Sequence, residues 1–153
     1  ANILKSETID MGGVSVKQAL PTQRVEQISP FLLLHHFGPI QVEPGLEPMD
    51  VGPHPHRGFA PVTFLYSGGL RHKDSRGNEG IFECGDGQLM IAGRVIIHSK
   101  RSSKAFLEKG GTLEGIQLWV NLRKQDKMSV PSYQDMKADT IPVLEQADCA
   151  IRI

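Results

Sequence analysis

Glycine-marked turns are the strongest constraint on how this chain can fold. Gly68-Gly69, the segment 74–80, Gly85-Asp86-Gly87 and Gly110-Gly111 interrupt it at short intervals, and glycine supplies the positive φ that tight hairpins need. The runs between them have strand length. In "GIQLWVNL" (115–122), Ile116, Leu118, Val120 and Leu122 alternate with Gln117, Trp119 and Asn121. That is period two over a full strand, with one aliphatic face. "VTFLYS" (62–67) is mostly apolar, which predicts a strand buried on both faces. "FLLLHHFG" (31–38), "GQLMIAG" (87–93) and "RVIIHS" (94–99) read similarly. No long segment has a 3.6-residue period, so the pattern predicts an all-β sandwich or barrel. "SSKAFLEKGG" fits one helical turn, with Ser102 or Ser103 as cap and Gly110 as stop. After "NLRKQDKMSVPSYQDM" the pattern loosens into a polar linker, and the closing "CAIRI" reads as a strand.

At 153 residues the chain is long enough for one domain with a full core and short for two. Lys plus Arg equals Asp plus Glu at 17 each, which argues against nucleic acid or an anionic membrane as the partner. The longest clean apolar runs are four residues, such as 31–34, too short to span a bilayer. "ANILKSETID" lacks the charged-then-apolar pattern of a signal peptide, so the expected location is the cytoplasm. Cys84 and Cys149 form no CxxC pair and read as reduced thiols.

Chemistry concentrates in the histidines. On a strand His54 and His56 project to one face, and Pro55 between them, lacking an N–H, points to an edge or an entry segment. An isolated HxH is more often a surface pair. A third imidazole, His98, ends the apolar run Val95, Ile96, Ile97. Three neutral imidazoles on neighbouring strands make a facial metal site with open positions. His72, among charges in "LRHKDS", reads as solvent-facing. His35 and His36 are adjacent and point to opposite faces, so one of them is expected to be buried and structural.

The motifs "FLLLHHFGP", "HPHRGF", "GDGQLMIAGRVIIHS", "GIQLWVNLRKQDKM" and "PSYQD", in this order from about residue 14 onward, resemble the pirins, a branch of the cupin superfamily. The resemblance implies a cupin double-stranded β-helix (a jelly-roll barrel) around one metal ion, iron in the family. It places metal ligands at His54, His56 and His98. It also implies two barrels, so that 1–136 is an N-terminal cupin domain and 137–153 a linker and the first strand of a second. That last segment is expected to pair with an exposed strand edge, in this chain or in a dimer.

The chain departs from the family pattern at several positions. His35-His36 stand where acidic residues are expected, and Ile91 where the second motif has proline. Two more departures bear on the metal site. The family's metal-ligating glutamate, two residues after the third histidine, is Lys100 here, and Ala60 stands where pirins read "HPHRGFE". A carboxylate brings negative charge and a hard oxygen that favour iron, and a base that can deprotonate a flavonol hydroxyl. Lys100 brings neither. Turned inward and protonated it repels a divalent cation; turned outward it leaves three histidines completed by water. The resulting expectation is a weak or partly occupied divalent-metal site, more tolerant of zinc, nickel or copper than of iron, in a metal- or partner-binding regulatory protein with weak or no catalysis. The alternative is a quercetin 2,3-dioxygenase-type enzyme acting on a flavonol-like molecule. Arg94, Lys100, Arg101, Lys104 and Lys109 form a basic cluster, read as a docking surface or a solvated face. No residue is assigned a catalytic role.

Overall fold

A computed structural model describes residues 5–11 and 13–153. Its elements, in chain order, are β1 (Glu7–Met11), β2 (Val14–Leu20), β3 (Phe31–Val42), β4 (Asp50–His56), β5 (Phe59–Ser67), β6 (Gly69–Asp74) and β7 (Glu79–Glu83). They continue as β8 (Gly87–Ile91), β9 (Ile96–Ser102), α1 (Lys104–Lys109), β10 (Gly111–Asn121), β11 (Ser132–Met136), β12 (Val143–Gln146) and β13 (Cys149–Arg152). The strands form a seven-stranded sheet, β1-β2-β3-β10-β5-β8-β11, and a four-stranded sheet, β4-β9-β6-β7.

Every pairing is antiparallel, and from β3 to β10 the chain passes back and forth between the two sheets, giving the expected cupin jelly roll. The barrel is not closed, however: among the described residues no ladder joins one sheet to the other. No described helix is long and apolar enough to cross a membrane.

Alternation places the core. In β2, Val14, Val16 and Leu20 are buried and the intervening residues are not. These valines join Phe37, Val42, Met49, Leu65, Leu70, Phe82, Phe106 and Leu113 in the main apolar cluster, while Met90, Ala92 and Ile96 form a smaller one. Along β9 the inward residues are Ile96, His98, Lys100 and Ser102. The strand therefore passes from apolar core to polar interior within a few residues.

The helical turn is where the sequence places it. Ser103 caps α1 by accepting from the Phe106 N–H, and Gly110 ends it at φ 66°. Other expectations need correction. The aliphatic side of "GIQLWVNL" is half-buried and does not line the main cavity; Gln117 and Trp119 do. "VTFLYS" is open on its outer side, with Phe64 36% and Tyr66 52% exposed. In "RVIIHS" the strand begins only at Ile96. Part of the polar stretch before the linker, 132–136, is the strand β11, paired with β8. The segment after 136 does not extend a sheet edge of this chain: β12 and β13 pair with each other, every residue exposed.

Candidate metal centre and cavity

The register of two strands assembles the histidines. β4 is an edge strand, as Pro55 requires, and it pairs His54 with His98 and His56 with Ile96 across to β9. His56 and His98 Nε2 lie 2.9 Å apart, and His98 and His54 Nε2 3.1 Å. The potential ligand atoms of all three lie within 4.8 Å of one another. His54 Nδ1 donates to the Gly52 carbonyl at 2.8 Å. That bond fixes its neutral tautomer and leaves the Nε2 lone pair facing the other two rings.

The donor set suits a divalent transition ion. Three nitrogens 2.0–2.1 Å from an ion on one octahedral face would stand about 2.9 Å apart, close to the spacings observed. Burial, with His54 and Lys100 nearby, lowers the His56 pKa to about 4. Burial, then Lys100 and the neighbouring imidazoles, lowers that of His98 to about 2. Both rings are therefore neutral at pH 7, the state a metal ligand requires. Trp119 and Phe59 stack at 4.4 Å and meet the His56 ring edge-on at 5.2 and 5.1 Å, which fixes its orientation.

The triad opens into a cavity of about 310 Å³ with mostly apolar walls, including Leu33, Phe37, Met49 and Leu70. Lys100 lies inside it, 7% exposed, donating to Thr63 Oγ1 at 2.5 Å. Its Nζ sits 5.5 Å from the centre of the Phe82 ring, and burial lowers its pKa to about 8. The inward alternative is the one realised, and among the described residues no carboxylate pairs with Lys100.

The other sequence-predicted residues fall as follows. Ala60 is buried opposite Val120 and does not line the cavity. His72 is not solvent-facing: it is 3% exposed and packs against Tyr133 at 5.0 Å. His35 is buried, as expected of one of the pair, with Nε2 2.7 Å from Gln18 Oε1, and it also lines the cavity. His36 pairs with Glu114 at 3.0 Å. Of the basic cluster, Lys100 is interior, while Arg101 pairs with Asp50 and Lys104 with Glu108 on the surface. Cys84 and Cys149 are free, exposed thiols. Thr63, Gln117 and Trp119 line the site without having been singled out. The one available signal was that Gln117 and Trp119 occupy the non-aliphatic side of an alternating strand.

Comparison with known proteins agrees with this geometry. The chain is 47% identical over 117 residues to a Pseudomonas aeruginosa protein provisionally named quercetin 2,3-dioxygenase, covering 76% of this chain and 41% of that one. It is 40% identical over 136 residues to a pirin-like protein of Caulobacter vibrioides, covering 89% and 47%. A crystal structure of quercetin 2,3-dioxygenase from Acinetobacter baumannii superposes with a TM-score of 0.87 at 37% identity, covering 97% of this chain and 53% of that one. The chain thus spans about half the length of these relatives. Residues 13–120 match the profile of the pirin family, and this chain belongs to that family.

Proposed function

We propose that this chain holds a divalent transition metal on His54, His56 and His98 and binds a small molecule in the adjoining cavity, with quercetin-dioxygenase-type turnover weak or absent. The observation that carries this reading is the pairing of three convergent imidazoles with a buried Lys100 where the family resemblance calls for a carboxylate. A bound metal would supply Lewis acidity and open positions for substrate. The chain's own residues do the rest. His54, His56 and His98 offer neutral lone pairs, Trp119 and Phe59 hold His56 in place, and the apolar walls exclude water. A protonated Lys100 ammonium can accept no proton from a flavonol hydroxyl, and its charge opposes the ion. With nitrogen donors alone, zinc, nickel or copper should be held better than iron.

The second reading is catalytic, a quercetin 2,3-dioxygenase-type oxidoreductase. The relatives named for that activity favour it. In the first reading the output is regulatory, through a bound metal or a protein partner. The proposal also includes a second cupin domain beginning within 137–153, supported by the fully exposed hairpin β12–β13, and association of two copies through an exposed strand edge.

Loading the wild type and Lys100→Glu with iron, then following oxygen uptake with quercetin, separates the readings. We expect the variant to bind iron about tenfold or more tightly, from exchanging a positive for a negative charge beside the ion, and to gain turnover. Equal iron affinity would show that Lys100 does not act on the ion. Brisk turnover by the wild type would establish the catalytic reading.

A further inference from the structure

The cavity's charges do not balance. Lys100 Nζ is fully interior and has one neutral partner, Thr63 Oγ1. An ammonium carries three N–H donors, so two remain unused. Trp119 lines the same space, and its buried indole N–H has no acceptor. None of the lining residues is an aspartate or glutamate. An ion on the triad would add two more positive charges to the low-dielectric cavity that Lys100 shares with it. Buried charges of one sign are costly until a counter-charge joins them.

An anion from solvent relieves this while Lys100 keeps its proton, and the cavity limits which kind. The polar donors are few and the walls are apolar, with Leu33, Phe37, Met49 and Leu70 around about 310 Å³. A phosphate dianion would leave most of its oxygens unsatisfied against such walls. A carboxylate needs only two directions of contact, and an apolar body attached to it can fill the remaining space.

We propose that the cavity binds a small monocarboxylate with an apolar or aromatic body, its carboxylate lying between Lys100 and the metal on the histidine triad. The proposal rests on the triad holding a metal, as argued above. It makes Lys100 a ligand-binding residue rather than only the loss of a glutamate.

The test uses zinc-loaded protein, with benzoate as the probe and benzamide as its neutral counterpart of the same shape. Calorimetric titration should show benzoate binding at least about tenfold more tightly than benzamide. Lys100→Met keeps the side chain's length and apolar stem; it should weaken benzoate by roughly tenfold to a hundredfold, the range of a charge-assisted hydrogen bond. Because coupling is reciprocal, benzoate should tighten zinc by the same factor that zinc tightens benzoate. If zinc binds but benzoate and benzamide bind equally or not at all, the anion site is wrong and the metal reading stands. If zinc fails to bind while benzoate still binds and depends on Lys100, the metal reading is wrong and the lysine alone holds the anion. The comparison of the two probes needs only the wild type, so it stands even if Lys100→Met does not fold.

Discussion

The two sheets contribute different things to the cavity. The four-stranded sheet carries the whole histidine triad and Lys100, on β4 and β9. The seven-stranded sheet contributes shape and neutral polarity through Leu33, Phe37, Thr63, Gln117 and Trp119. The triad's spacing follows one ladder, in which His54 lies opposite His98; the larger sheet adds the Phe59–Trp119 pair packed against the His56 ring. Substitutions in the cavity wall away from that pair should therefore leave the triad's spacing intact.

Changes on the small sheet should have the largest effect. His98→Ala removes the proposed ligand whose Nε2 lies near both other rings. It should cost roughly a thousandfold in zinc affinity, about 4 kcal/mol, more than the ten- to hundredfold typical of outer-shell partners. Competition with a chromophoric chelator measures it. Retained affinity would place the metal elsewhere.

Acid should act on the same sheet. His56 and His98 have pKa values lowered from 6.5 to about 4 and about 2. Below pH 6.5 the unfolded chain takes up protons that the fold excludes, so stability is full above that value and falls as pH drops toward 4. At pH 5.5 the metal-free protein should lose about 1.4 kcal/mol for each of the two histidines. Urea midpoints between pH 7 and 5.5 measure the loss, and a flat profile would contradict the burial of the rings.

On the large sheet, Gly115→Ala should separate shape from ligation. A Cβ there would meet the Phe37 ring at 2.5 Å and the Phe64 carbonyl oxygen at 2.6 Å. Overpacking of this kind costs about 1–3 kcal/mol, while zinc affinity should stay within about threefold because β4 and β9 are untouched. A large loss of zinc affinity would show that the sheets are coupled. The smallest effect belongs to the solvent side of β9. Arg101 and Asp50 form an ion pair at 2.8 Å with both side chains about half exposed, so Arg101→Ala should cost under about 1 kcal/mol.

Local signals made much of the architecture legible. Glycine turns and period-two runs located β3, β5, β8 and β10, and a serine–glycine pair bounded α1. Strands with mixed composition were harder to read. β4 is "DVGPHPH" and β11 is "SYQDM"; neither alternates clearly, and only pairing with β9 and β8 makes them strands. The misreading of His72 has the same origin. Its neighbours Arg71 and Lys73 face outward, and on a strand charged neighbours say nothing about the residue between them.

The sequence by itself determined the all-β class, the family and the positions of the HxH pair and Lys100, because each depends on residue identity and short-range spacing. Only the tertiary structure decided which side of an alternating strand faces inward. "GIQLWVNL" has a clean aliphatic face, yet Gln117 and Trp119 line the cavity. A strand's two faces are equivalent until a second sheet covers one of them. The same holds for Lys100, whose direction follows from its parity with His98 on β9 and from the sheet opposite. Alternation shows that two faces differ, and packing determines which of them is the interior.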